Sequence, residues 1–551
     1  MGRHRNPCVL IAAIASLTAG VMQPAQAGEV LRIGVVGQIS GTHPNITASG
    51  NTLMLSGLAA RGLTYFDGDV SMACLLCETL PTVENGLVRD DVDPDGKPGQ
   101  RVMFRLKPGL KWDDGKPITA SDFVRAWRVG REPENDYAWQ SRLAEEIWAA
   151  VALDERTFEV RRRGRSCAPS DFRFMPVRGD GGAADHNPKS YRAQSPHMTS
   201  PLVRGLYVGP YRVTDYRPDP ENQVVTLDRN THWSGGRPRF DRIELVYRPT
   251  PQAMQQAVAE GLVDLVTDTR PAIAEAGMRL APDRFVDFQR AGRTLMQVTL
   301  NLDDPALSDV RVRRALLLAL DRNALAGLVS GKAAPARSFL SENFPAYLPS
   351  LAEGGLAAMS EAAKLLETSG WRAGADGVRR DSSDRPLAFR LAVARALLDG
   401  PLVQSIVESW RGVGVRVDVE PWGGIAQLTG ANPPSMALFG YTIEGGANID
   451  FHIFASHSIP KPGEARNGLN IFRYRSAAVD AIVAQLREGC APERLTPGFR
   501  DLQRHIGQDL PLLPLFFMPE AHLLPRALAL PDAQRVQLLL TQEIENWQIR
   551  D

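Results

Sequence analysis

Apolar residues change their period several times along this chain, and the changes mark out its elements. From Val102 the alternation of Val102, Phe104 and Leu106 with Met103, Arg105 and Lys107 predicts a half-buried strand. Asp114-Gly115 then supplies the positive-φ turn of a hairpin. Thr119 begins a helix, with Asp122 three residues on completing a capping box and placing its charge at the positive end of the helix dipole. Phe123 and Trp127, four apart, share one face of that helix and are expected in a core. Thr157 to Val160 alternates again, as a strand with one wet face does.

Elsewhere the period switches repeatedly between two and 3.6. Leu31 to Val36 reads as an apolar strand followed by a Gly/Ser/His/Pro loop, 37–44, where a crossing between lobes is expected. The interval from Cys167 to Leu202 is polar and irregular. Ile243 to Val246 is a strand, Pro251 to Glu260 a helix stopped by Gly261, and Val263 to Leu265 another strand, the order of a parallel crossover. Ser308 is positioned to cap a helix in which Val312, Ala315, Leu316 and Ala319 form one stripe. Arg311, Arg313, Arg314 and Arg322, interspersed with Asp309 and Asp321, read as its solvated face. Helix 357–369, strand 387–393, helix 401–411 and strand 415–419 then extend a second α/β region.

With 551 residues the chain exceeds the size of a single core, so two or more domains are expected. Its 63 basic and 63 acidic residues balance, which argues against a nucleic-acid partner. Arg3, His4 and Arg5 before the apolar run Val9 to Ala15, and Ala25-Gln26-Ala27 at its end, predict a cleavable secretory signal over 1–27. Its removal takes two arginines and no acid, leaving 0 − 2 = −2. Cys74, Cys77, Cys167 and Cys490 remain, and Cys74-Leu75-Leu76-Cys77 reads as a local disulfide or two small buried thiols rather than a zinc or redox site. The sequence carries no Gly-x-Ser-x-Gly elbow, His-Glu-x-x-His helix or phosphate loop, and Asp113 and Asp114, adjacent on a tight turn, diverge too far to flank one bond. No enzyme, cofactor or metal site is therefore expected; His452 and His457, five apart near Asp450, fall on different sides of a helix.

Three segments taken together, Val102 to Trp127, Val208-Gly209-Pro210-Tyr211 with Asn230 to Trp233, and Ser308 to Arg322, resemble the extracellular solute-binding proteins of family 5 in the family's own order. The resemblance implies an α/β, two-lobed periplasmic binding protein of type II, in the large cluster with an extra domain, with mixed sheets flanked by helices and hinged lobes. It implies lobe I over 28–65, an extra α+β domain over 66–204, lobe I again over 205–290, lobe II over 291–510 and a return to lobe I over 511–551. It further implies a periplasmic monomer that captures a small molecule or peptide, foremost an oligopeptide or dipeptide, and delivers it to the membrane permease of an ABC importer. An oligosaccharide, an opine-like conjugate or a metal chelate is the alternative cargo, and a secreted hydrolase the alternative of another class.

Peptide-binding members carry Gly-Trp and, three residues after the Trp, an aspartate that pairs with the ligand's terminal ammonium. Tyr441 stands here in place of the Trp and Glu444 in place of the Asp. Asn448 and Asp450 follow in the same strand-to-loop segment, and Trp422 is a candidate pocket wall. A cation for a ligand carboxylate is expected among Arg390, Arg395 and Arg473, with Arg473 included in the site.

Overall fold

Two long strands carry the chain between its lobes. The computed structural model describes residues 29–39, 41–46, 50–66, 72–135, 146–166, 168–179, 183–268, 271–329, 333–342, 344, 346–351, 358–394, 397–442, 451–461, 469–488, 492–530 and 540–550. In chain order the strands are β1 (Val30–Val36), β2 (Thr64–Phe66), β3 (Met72–Cys74), β4 (Val88–Val92), β5 (Pro98–Arg105), β6 (Ile147–Ala152), β7 (Thr157–Arg163), β8 (Tyr211–Arg217), β9 (Val224–Arg229), β10 (Arg242–Arg248), β11 (Leu265–Asp268) and β12 (Phe285–Leu300). They continue with β13 (Arg372–Ala373), β14 (Arg379–Arg380), β15 (Ala388–Val393), β16 (Arg416–Pro421), β17 (Met436–Thr442), β18 (Leu512–Pro525), β19 (Leu528–Ala529) and β20 (Gln548–Ile549). Ten of them form one sheet in the order β16-β15-β17-β12-β18-β11-β1-β10-β9-β8.

Strands β12 and β18 pair antiparallel at the centre of this sheet; their ladder shifts register between Met296 and Gln297 and breaks more widely near its middle. Arg290 pairs with Glu520 and Thr294 with Met518, so residues 291–293 bulge opposite Pro519 alone. Pro519 has no N–H to give the ladder. A Cβ on Gly292 would lie 1.8 Å from the Met518 carbonyl oxygen, so only glycine fits there. On one side of the break β11, β1, β10, β9 and β8 continue the sheet as lobe I, and on the other β17, β15 and β16 continue it as lobe II. The lobes therefore change at these two strands and not in the loop after β1, which packs instead over lobe I through Ile39 N to Gln223 Oε1 at 2.8 Å. On the return the change sits at Met518 to Glu520, inside β18, rather than at residue 511.

The predicted crossover from β10 to β11 is present: both strands run parallel to β1, which lies between them. Each lobe buries apolar residues on both faces of its sheet, with Leu31, Ile33 and Leu245 on one face of lobe I and Val246, Met254 and Val258 on the other. In lobe II, Val298, Leu316 and Leu438 lie on one face, and Leu295, Phe439 and Phe454 on the other. The extra domain is a separate four-stranded sheet, β4-β5-β7-β6, against the helix Ala120–Gly130. Val102, Phe104, Phe123 and Phe158 are fully buried there, Phe123 stacking on Phe158 at 5.5 Å. Asp122 Oδ2 accepts the Thr119 amide at 2.8 Å, and Gly115 turns with φ of 87°.

Polar ties fasten the extra domain to lobe I. Buried Asp113 accepts the amides of Gly205 and Tyr207, both at 2.9 Å. Cys74 and Cys77 form a disulfide across a turn in which the Leu75 and Leu76 amides both donate to Leu63, while Lys107 N donates to Leu76. Cys167 and Cys490 lie outside the described residues. Within lobe I, Arg61, 1% exposed, forms a two-pronged pair with Glu545 at 2.6 Å, donates to Gly57 of the helix Gly50–Leu58 and covers the Trp233 ring at 4.8 Å, so the C-terminal segment, that helix and the Asn230 to Trp233 loop share one cation.

Asp309, not Ser308, caps the lobe II helix, accepting the Arg311 amide at 2.8 Å, while the Ser308 hydroxyl turns back to Pro305. Arg313 and Arg322 are buried rather than solvated. Arg313 donates to the carbonyls of Asp509 at 2.8 Å and Leu307 at 2.7 Å, and Arg322 to that of Ala336. Each guanidinium satisfies main-chain carbonyls that would otherwise be buried without donors.

Glu545→Ala should destabilise the fold by about 3–5 kcal/mol, because it leaves the Arg61 charge buried and unpaired; guanidinium unfolding followed by intrinsic fluorescence checks this. Gly292→Ala should cost about 1–3 kcal/mol through the forced shift of the Met518 carbonyl. Gly236→Ala, which meets nothing within 4 Å, should stay within about 0.5 kcal/mol in the same assay.

Candidate functional site

Strand direction locates the cleft. In open α/β sheets ligands sit beyond the carboxyl ends of parallel strands. In lobe II, β15 runs parallel to both β16 and β17, and Thr442, the last residue of β17, pairs with Thr294 beside the bulge. In lobe I, β11 ends at Asp268 opposite Ala521, next to Glu520 on the other side of the bulge. Both sets of carboxyl ends thus converge on the break in the β12–β18 ladder.

Tyr441 and Trp422 both pack against one apolar cluster on the lobe II side of this line. Tyr441 pairs with Leu295, one rung short of the end of β17, and is half-buried. Trp422 follows β16 directly; its amide donates to Val393 at 2.8 Å and its indole Nε1 to Gly424 at 2.7 Å. Gly424, with φ of 97°, allows the chain to fold back beneath the indole. Gln427 fixes the same loop, accepting from Gly423 N at 2.8 Å and donating to Glu420 at 2.9 Å. The Trp422 ring lies 4.6 Å from that of Phe439, and Trp422, Phe439, Tyr441, Leu295 and Phe517 belong to one apolar cluster.

Phe439, 5% exposed, backs Trp422 from the core, and period-two alternation through 437, 439 and 441 places it on the face of Tyr441. The sequence reading passed over Thr294 and Thr442, their hydroxyls 2.8 Å apart on the last rung of β12 and β17. Nothing in the local sequence announces that pair, because the two residues are 148 positions apart.

The remaining expected residues divide into two groups. Glu444, Asn448, Asp450 and Arg395 lie outside the described residues. Arg473 is not brought together with Tyr441 and Trp422. It is buried with φ of 53°, donates to Leu428 at 3.1 Å and pairs with Asp303 at 3.4 Å, beyond the Leu300 end of β12. Tyr441 lies at the Leu295 end, five rungs away. Burial lowers the Arg473 guanidinium below its ordinary value, and its hydrogen bonds are spent inside lobe II. Arg390 is likewise engaged, with Pro433 at 2.8 Å and Glu420 at 3.7 Å.

His452 and His457 approach more closely than helical spacing implies, with ring centroids 6.1 Å apart, because the segment forms two 3₁₀ turns, Phe451–Phe454 and Ser456–Ser458. Among the described residues no three His, Cys, Asp or Glu side chains gather as metal ligands would. Asp113 and Asp114 face different partners, Asp113 the amides of Gly205 and Tyr207, Asp114 the Arg178 guanidinium at 2.8 Å.

Comparison with known proteins agrees with this architecture. A probable deoxycholate-binding periplasmic protein of Escherichia coli, YgiS, is 23% identical over 458 residues, 77% of this chain and 78% of its own. The structure of the oligopeptide-binding protein AppA of Bacillus subtilis, in complex with a nonapeptide, superposes with a TM-score of 0.76 at 16% identity, covering 95% of this chain and 99% of that one. NikZ of Campylobacter jejuni, in complex with Ni(L-His), gives 0.70 at 17% identity over 94% and 99%. The two likenesses in structure show a shared two-lobed fold. Residues 82–445, a span that includes the extra domain, β12, Trp422 and Tyr441, match the family model of the bacterial extracellular solute-binding proteins, family 5, and the chain belongs to that family.

Proposed function

We propose that this protein captures short peptides in the periplasm and hands them, as a monomer, to the membrane permease of an ABC importer. The observation that carries the reading is the convergence of both lobes' strand ends on a single broken ladder lined by Tyr441 and by Trp422, which Phe439 backs. A site split between two bodies joined at a bulge buries its ligand by closure, so affinity comes from desolvation and from groups on both sides. An aromatic wall suits apolar side chains of varied size, while an extended ligand bonds through its main chain. Relatives support the cargo: AppA was solved with a nonapeptide, and an oligopeptide-binding protein of Escherichia coli, OppA, is 21% identical over 78% of this chain. The Ala25-Gln26-Ala27 signal supports the compartment. Glu444, three residues beyond Tyr441, is the proposed partner of the peptide ammonium.

Purification from the periplasm without denaturation, followed by mass spectrometry of the released small molecules, tests the class of ligand. A population of short peptides is expected; one sugar, one bile acid or one metal complex would replace the reading. Glu444→Gln should weaken a free-amine tetrapeptide by about 10- to 100-fold, the worth of a charge-assisted bond of ~1.5–3 kcal/mol. The N-acetylated tetrapeptide should bind wild type and variant alike in calorimetry, and equal loss for both peptides would remove Glu444 from the ammonium site.

A further inference from the structure

Beyond β1 the chain enters the extra domain's territory through a segment, 41–46, that is buried throughout. Thr42 and His43 have no exposed surface, and His197, on the short helix Pro196–Thr199, has 3%. The Thr42 amide donates to the His197 carbonyl at 3.3 Å, and Thr42 Oγ1 lies 3.1 Å from His197 Nδ1. The Tyr207 hydroxyl sits 3.1 Å from the same Thr42 oxygen and donates to Pro201 at 2.7 Å. Four rings form a continuous edge-to-face row across the junction. Tyr191 meets His43 at 5.9 Å, His43 meets His197 at 5.0 Å, and His197 meets Tyr207 at 5.4 Å.

Two imidazoles this close in a dry junction are compatible with packing while both are neutral. A proton on either adds a desolvated cation, and a second adds repulsion between like charges. We infer that the His43–His197 pair is a proton-operated joint, which holds the extra domain against the loop after β1 while both rings are neutral and releases it in acid. The loop leaves β1 at Val36, one of the carboxyl ends that face the cleft region, so release loosens the lobe I edge whichever solute is carried.

The titratable groups facing the pair are Tyr191 and Tyr207, and Asp113 and Arg212 bear electrostatically on Tyr207. Burial, with His197 beside it, lowers His43 well below its ordinary value, and burial lowers His197 to about 3. The opened joint has ordinary imidazoles near 6.5 and binds more protons below that pH. The stabilisation is therefore complete above about pH 6.5 and is lost as pH falls toward 3. For His197 alone, opening at pH 4.5 is favoured about 100-fold over opening at pH 7.5, and His43 multiplies that factor.

Hydrogen exchange of the full mature protein at pH 4.5 and 7.5, corrected for chemical exchange rates, reads the joint directly. Peptides covering 41–46 and 191–199 should open at least about 100-fold more at pH 4.5, with β5 and β12 as internal references. In His197→Asn, which keeps a hydrogen-bonding atom toward Thr42 and loses the titration, the ratio between the two pH values should fall by about 100-fold. Tyr207→Phe should loosen the joint equally at both. Exchange at the joint that tracks β5 and β12 in the wild type, or an unchanged ratio in His197→Asn, overturns the inference; the wild-type comparison decides alone if the variant does not fold.

Discussion

The antiparallel pairing of β12 with β18 is the constraint on which the rest of the structure depends. Both lobes hang their sheets on this one ladder, lobe I through β11 and lobe II through β17. Register along it decides where Asp268 and Thr442 end, and so where the two lobes present their strand termini. The break at 291–293 opposite Pro519 then separates a rigid half-ladder in each lobe from a short stretch with no regular pairing. Bending is cheapest where hydrogen bonds are already missing, and a site placed there changes shape without unfolding either sheet.

Local pattern made much of this legible. Alternation at Val102, Phe104 and Leu106, the cap at Thr119 and the crossover around Val246 and Met254 each follow from neighbours within a dozen residues. What lay hidden is long-range. The 16-residue β12 reads as broken because Gln289, Gly292 and Arg293 interrupt its apolar run, and only pairing with β18 shows the interruption to be a bulge. Arg313 and Arg322 look like surface charges until the carbonyls of Asp509 and Ala336 come to meet them from distant segments. For the same reason Arg473, chosen for its charge, is committed to Leu428 and Asp303, whereas Tyr441, chosen for its place in the family's motif, and Trp422, chosen for following a strand, pack against one apolar cluster.

The junction of the extra domain with lobe I combines shared apolar surface, in which Ile46, Ala60, Leu63 and Val208 join the core of Phe104 and Phe123, with a set of polar ties. Asp113 with two amides, the turn closed by Cys74 and Cys77 and the row of rings through His43 and His197 all sit along it. Such contacts are directional, and they fix one orientation where an apolar interface would tolerate sliding. They also make the junction sensitive to solution conditions that leave the apolar cores of the sheets untouched.

The position of β18 has one more consequence, for biosynthesis. It lies in the middle of the ten-stranded sheet, between β11 and β12, yet it is among the last strands to be made. Until residue 525 leaves the ribosome, β11 has an open edge in lobe I and β12 has an open edge facing it, so neither lobe closes its sheet. The largest sheet of the protein therefore stays incomplete until late in synthesis, and its central strand is added after both flanking halves have been made.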